Sequence, residues 1–318
     1  MIKKLICFFL ALSVAGVASA QNNIDKLITA EYVDQLIKTL SSDEMEGRAT
    51  FTPGIDKAAT FIEGEFKKIG LQPLTGATGF RQTFNVKKSD KPLFNVVGMI
   101  PGKSKAKEIV VFSGHYDHLG ILKSQDQDSI ANGADDDASG TTAVIALAKY
   151  YKALNNNERT LIFVAFTAEE IGGFGAKHFS SLLNPDDVVA MFNIEMIGKE
   201  SKFGKNTAFI TGFDKSDFGK ILQKNLEGSQ FTFHPDPYPR QNLFYRSDNA
   251  TLAALGVPAH TISTDQIDTD KFYHTIKDEY STLDTENILS TIKSIAISAT
   301  TIVKGIDTPT RIPKLVDR

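Results

Sequence analysis

The chain has 318 residues, a formal net charge of −3, 42% hydrophobic side chains and a single cysteine. A mildly acidic balance without a basic stripe argues against nucleic acid as a partner, and one cysteine excludes an intrachain disulfide framework. No internal repeat or low-complexity tract interrupts an ordinary soluble globular composition.

Residues 1–20 read as a signal peptide. Lys3 and Lys4 make a short basic start, residues 5–17 are apolar, and Ala18-Ser19-Ala20 is a small-residue cleavage site. The expectation is an exported protein, periplasmic or secreted, whose mature chain begins at Gln21. The apolar run is too short to span a bilayer and no later run reaches that length, so no stable membrane anchor is expected. Cys7 lies in the leader behind Ile6, not behind a small residue, which argues against a lipid anchor. Losing Lys3 and Lys4 takes the charge from −3 to −5. The mature chain then lacks cysteine, so its stability must come from its core and from any bound metal.

Helical spacing of apolar residues marks 31–40 and 56–69, the second stopping at Gly70. Residues 94–100 predict a strand closed by Pro101-Gly102, and 108–113 another, apolar enough for burial on both faces. A polar loop is expected over 123–133, then a helix from Ser139-Gly140 to about Lys152. Strands follow at 159–167 and 188–194 around a helix at 175–183. Further strands at 207–211 and 257–262 alternate with helices at 214–227 and 285–303. Strand, helix, strand in this order implies a parallel sheet. With no Pro/Gly/Ser linker, residues 21–318 read as a single α/β domain.

Several of these strands end in acids or histidine. Residues 159–167 run into Ala168-Glu169-Glu170, 108–113 into Gly114-His115-Tyr116-Asp117, and 188–194 into Glu195, while Asp135-Asp136-Asp137 precede the crossover helix. Taken alone, Glu169-Glu170 would be a solvated pair favoured by a helix dipole. In an open parallel sheet, however, ligands bind beyond the carboxyl ends of the strands, so four segments can deliver donors to one rim. Imidazole and carboxylate are the usual zinc donors of open catalytic sites, and two metals about 3.5–4 Å apart need a bridging carboxylate. Asp136 could bridge, with His115 and Glu195 on one ion and Glu170 and His274 on the other. Asp117 could accept the second ring N–H of His115. Glu169, unliganded beside a ligand, would be a general base.

The segments 114–120 (GHYDHLG), 133–140 (GADDDASG), 167–172 (TAEEIG), 193–198 (NIEMIG) and 273–275 (YHT) occur in this order. Together they resemble the co-catalytic zinc aminopeptidases of the M28 family, from about Asp43 to the closing helix. The resemblance implies a three-layer zinc-exopeptidase fold, with a central, mostly parallel mixed sheet and helices on both faces. It implies two Zn²⁺, with other divalent metals possible, held by His115, Asp136, Glu170, Glu195 and His274. Asp136 takes the bridging place, often followed by a cis peptide in the family, and Glu169 the place of the base. Tyr273 could donate to a tetrahedral oxyanion, or simply pack. The activity implied is removal of N-terminal residues from peptides with a free N-terminus, through a water held between the ions.

Two positions depart from the family pattern. Glu195 stands where Asp is usual, and Arg246-Ser247-Asp248-Asn249 ends in Asn where His is commoner, which could reshape the substrate pocket. Of the remaining histidines, His118 faces away from His115 if its loop is extended. His178 reads as surface or packing, His234 as structural, and His260 as a satisfied core histidine. Residues 265–271 read as a solvated loop near the site entrance. Two rival functions remain: a glutaminyl cyclase-type acyltransferase with one zinc, whose pocket tryptophans are absent here (Trp 0), and a non-catalytic binding relative.

Overall fold

Among the described residues eight strands form one sheet in the order β1-β2-β6-β3-β7-β10-β8-β9. The computed structural model describes residues 24–125 and 127–315, so the expected leader, Cys7 and the processing site at Gln21 lie outside the described residues. The strands are β1 Arg81–Val86, β2 Ser89–Ile100, β3 Lys105–His115, β6 Arg159–Phe166, β7 Val188–Ile194, β8 Thr207–Ile210, β9 Thr232–Pro235 and β10 Ala259–Ser263. The centre, β6-β3-β7-β10, is parallel. Antiparallel pairings join β1 to β2, β2 to β6 and β10 to β8. The edge strand β9 pairs with β8 in parallel, so the sheet is mixed, as expected, and mostly parallel.

The central strands are continuous apolar runs because both faces are covered. In β3, Val110 and Phe112 face one core and Val111 the other, the alternation of a pleated strand. Helices α1 Ala30–Leu40, α2 Pro53–Ile69, α3 Gly140–Leu154, α5 Phe218–Asn225 and α7 Thr285–Ser298 cover the first face. Helices α4 Phe174–Ser181 and α6 Asn249–Ala254 cover the second, giving three layers. Local chemistry sets the helix ends. Thr29 caps α1 by accepting from the Tyr32 amide at 3.2 Å, and Asp284 caps α7 through Asn287 at 3.0 Å. Pro53 opens α2 and Gly70 closes it at φ 81°.

Some elements differ from expectation. The polar stretch 123–133 is largely a hairpin, β4 Gly120–Gln125 with β5 Asp128–Ala131, in a separate two-stranded sheet. Its outward residues, such as the 67% exposed Ile121, leave no clean alternation to read. The edge strands β1 and β9 carry similarly weak patterns. The closing helix is broken in two, α7 and α8 Thr300–Val303.

From β3 the chain crosses through α3 to β6 on one side, and β7 pairs on the other. Strand order therefore reverses around β3, the position at which parallel sheets open a crevice. His115 is the last residue of β3.

Candidate metal centre

Asp136 lies between two groups of donors. Its Oδ1 is 3.1 Å from His115 Nε2, while its Oδ2 is 3.3 Å from His274 Nε2. His115, Asp136 and Glu195 bring one donor atom each within 4.8 Å of one another. On the other side, Glu170 Oε2 stands 3.0 Å from His274 Nε2. The five residues expected as ligands are thus brought together, with one carboxylate facing both ways. A correction concerns His118, expected to face away. The β3 ladder stops at His115 and His118 is bridged to Ala49 instead, which leaves His118 Nδ1 2.9 Å from Glu170 Oε1 and 3.7 Å from Asp136 Oδ2.

The donors are fixed by a frame of backbone hydrogen bonds. Asp137 ties three segments together, its Oδ2 accepting from the His115 amide at 3.1 Å and its Oδ1 from Gly140 and Met196 at 3.0 and 3.1 Å. Gly140 permits this approach, since a Cβ there would lie 2.1 Å from the Ile194 carbonyl oxygen. Asp278 holds the Asp135 and Asp136 amides at 2.9 and 3.0 Å. The Asp136–Asp137 peptide is cis. Arg48, fully buried, donates to the carbonyls of Leu40, Tyr116, Asn132 and Gly133 at 2.6–2.8 Å. Asp117 plays a different part from the one expected. The His115 ring is held through Nδ1 by the backbone oxygen of Asp117 at 3.1 Å, with the carboxylate 3.8 Å away. That carboxylate instead accepts from the Glu169 and Glu170 amides at 3.0 and 3.3 Å, so it sets the turn that presents both acids.

Three non-glycine residues at the rim take the left-handed conformation: Ala168 before Glu169, Met196 after Glu195, and His274 itself, at φ 59°, 53° and 58°. Such residues cost about 1–3 kcal/mol each and persist only where their surroundings hold them.

Electrostatics divide the two adjacent glutamates. Burial pushes Glu169 well above the usual carboxylate range, reinforced by Glu195, Asp248 and Asp117 against the pull of His115. Burial also acts on Glu170, but the His118 and His274 imidazoles outweigh it and Glu170 is lowered. For His115, burial disfavours charge, yet Asp136, Asp137 and Glu169 raise it well above its ordinary value. The same balance takes His274 to about 10, through Asp136 and Glu170. Neighbouring acids displaced in opposite directions are suited to different tasks.

A metal test follows from atoms without partners. Among the described residues, His115 Nε2, Asp136 Oδ2, Glu170 Oε1 and both His118 ring nitrogens are buried with no aligned hydrogen bond. Buried carboxylates without donors are costly unless a cation lies among them. The nitrogen and oxygen donors fit zinc, and they fit other divalent ions of similar preference.

Beside the rim lies a cleft of about 240 Å³, with Met196, Phe209, Leu243 and Ile267 on its apolar side and Glu169, Arg246, Ser247, Asp265 and Tyr273 among its polar lining. Tyr273 stacks on His274 with centroids 3.8 Å apart. Asn249, at the position noted above, does not line the cleft. Its amide is engaged by Phe244, Ala259 and Thr261 at 2.9–3.1 Å, and Thr261 forms the wall in front of it. Residues 265–271 are less solvated than expected, since Asp265 is 3% exposed and Asp270 pairs with Lys199 at 2.6 Å. His178 stacks on Phe84 and His234 on Phe203. His260 is buried and bonded to Thr211 and Ser216 at 2.8 Å, as expected for a core histidine.

The sequence pattern described as Peptidase family M28 matches residues 95–299. The chain belongs to peptidase family M28. Among the relatives it resembles is a probable zinc metalloprotease of Leptosphaeria maculans, 27% identical over 192 residues, covering 57% of this chain and 42% of that protein. The chain thus spans less than half of that relative. The fold is shared with BSAP, a zinc aminopeptidase from Bacillus subtilis, at TM-score 0.70, 15% identity, and coverage of 87% of this chain and 95% of that one. It is also shared with a Porphyromonas gingivalis glutaminyl cyclase, at TM-score 0.67, 14% identity, and coverage of 87% and 99%. The fold alone does not choose between these chemistries. Among the described residues no helix is long and apolar enough to cross a membrane.

Proposed function

We propose that this M28 protein is an exported, zinc-dependent aminopeptidase that removes N-terminal residues from peptides. The observation that carries the reading is Asp136, whose two oxygens face separate donor sets, His115 with Glu195 and His274 with Glu170. Two zinc ions held there would supply Lewis acidity toward the scissile carbonyl and lower the pKa of water toward neutrality. Glu169, raised by burial and left out of the ligand pairs, takes the proton from the attacking water and returns it to the leaving amine. Asp117 holds Glu169 and Glu170 in place through their amides. Tyr273 lines the cleft, and burial raises its phenol, keeping it protonated to donate to a developing oxyanion. The acids around the cleft favour an ammonium group, which supports peptides with a free N-terminus as substrates.

The test is hydrolysis of aminoacyl-anilides by the zinc-loaded protein, run beside N-acetylated controls. Turnover of free amino-acyl substrates only is expected, and equal cleavage of both would reject an aminopeptidase. The rival acyltransferase, on the same fold, would cyclise a Gln-peptide to pyroglutamate, and the absence of tryptophan from the chain disfavours it. A non-catalytic relative would bind no metal. Export is supported by the leader-like first twenty residues, and an N-terminus at Gln21 in protein recovered outside the cytoplasm is the expected outcome.

A further inference from the structure

Of the imidazoles near the rim, His118 is the deepest. Its side chain has 0% exposure, against 38% for His274. Its backbone amide is tied to the Arg48 carbonyl at 3.3 Å, which fixes the main chain from which the ring projects. A core histidine kept for packing normally finds partners for its nitrogens, as His260 does. Among the described residues neither nitrogen of His118 has an aligned hydrogen bond.

What lies opposite Nδ1 explains this. Glu170 Oε1 is 2.9 Å away and also without an aligned bond, and Asp136 Oδ2 is 3.7 Å away. Donor atoms of His118, Asp136 and Glu170 all lie within 4.8 Å of one another. Close approach without donor–acceptor alignment is the arrangement of atoms facing a common point. His274 stands on the other oxygen of the same carboxylate, at 3.0 Å, and the two rings are 6.0 Å apart. The loop makes room for the arrangement. Gly133 sits at φ 55°, where a Cβ would lie 2.4 Å from His118 Cγ and 2.6 Å from its Cδ2.

On the reading of the site as a two-zinc centre, we infer that His118 is a third imidazole ligand. It closes the His274 side to four protein donors, His118, His274, Glu170 and Asp136. The His115 side keeps three, His115, Glu195 and Asp136, with a position open. Four protein donors mark a closed site and three an open one. The two ions therefore differ, the first retained and the second exchangeable, and the open position lies on the His115 side.

The experiment is zinc X-ray absorption on full-length di-zinc protein, wild type and His118→Ala, alongside cobalt(II) titration followed by visible absorption. Three imidazoles shared between two ions are expected in the wild type and two in the variant, with the tighter dissociation constant raised about 100-fold or more. Two imidazoles in the wild type, or an unchanged cobalt spectrum and affinity in a folded variant, would overturn the inference. Should His118→Ala fail to fold, the wild-type imidazole number decides alone. Wild-type protein that takes up no zinc overturns the two-zinc reading and this inference with it, whereas zinc uptake with two imidazoles overturns this inference only.

Discussion

Two buried groups of acids lie side by side under the same strand ends, and they are neutralised differently. Asp135, Asp265 and Asp270 cluster around Lys199, whose Nζ is 2.6 Å from Asp270 and 3.4 Å from Asp135. Asp136 and Glu170 face imidazoles, and Glu195, grouped with His115 and Asp136, accepts from the Asn193 side-chain amide at 3.4 Å; among the described residues no lysine pairs with them. The nearest buried guanidinium, Arg48, directs its N–H groups at backbone carbonyls. One cluster is neutralised by an ammonium that cannot ligate a metal while charged, and the other faces imidazoles that can give up their proton to one. Acid clustering alone therefore does not mark a metal centre; imidazoles in place of lysine around the acids do.

The strongest way to break this contrast is to remove the shared carboxylate. Asp136→Ala is expected to abolish turnover and take bound zinc below one ion per chain by elemental analysis, because both donor sets lose a member. Retention of two ions would contradict a bridging role. Glu169→Gln sharpens the division within the rim. Metal content should be unchanged while kcat falls about 10²–10⁴-fold, and near-wild-type kcat would defeat the assignment of the base.

At the other cluster the effect should be on stability. Lys199→Met leaves buried carboxylates without their cation, and denaturant unfolding should show a loss of about 3 kcal/mol, with bound zinc unaltered. A variant that instead lost zinc would erase the distinction between the clusters.

The smallest effect comes from a control far from both. His260 is lowered to about 4 by burial, against a modest opposing pull from its bond to Thr211. An imidazole with a depressed folded pKa contributes stability that is complete above its unfolded value near 6.5 and is lost as pH falls through 4. The full shift corresponds to at most about 3 kcal/mol, spread over that window. The difference between wild type and His260→Gln in denaturant stability should shrink from pH 7 to 4, and a constant difference would refute the buried neutral ring.

The sequence made much of this legible because chemistry and topology coincide at strand ends. Continuous apolar runs located β3, β6 and β7, and the donors immediately after them, His115, Glu169, Glu170 and Glu195, needed no long-range inference. The crossover order then placed Asp136 at the same rim. What escaped was set by contacts distant in sequence or by turn geometry. Asp278 holds amides 142 and 143 residues away, and Arg48 reaches carbonyls up to 85 residues away, with no local pattern to announce either. Alternation misplaced His118 because the β3 ladder ends at His115 and the next segment is positioned by a bridge to Ala49, a contact distant in sequence. The part of Asp117 was misassigned for a different reason. Its backbone oxygen and its carboxylate serve separate partners, and spacing from His115 cannot distinguish them. Gly133, by contrast, was a usable signal, since its left-handed φ and the ring pressed against it are linked.

The most direct test of the account is metal content of the purified full-length protein, by elemental analysis after equilibration with zinc and removal of the loosely bound excess. The account predicts two zinc ions per chain with aminoacyl-anilide hydrolysis that disappears on chelation and returns with zinc. A protein that holds no zinc and gains no activity on its addition would contradict it.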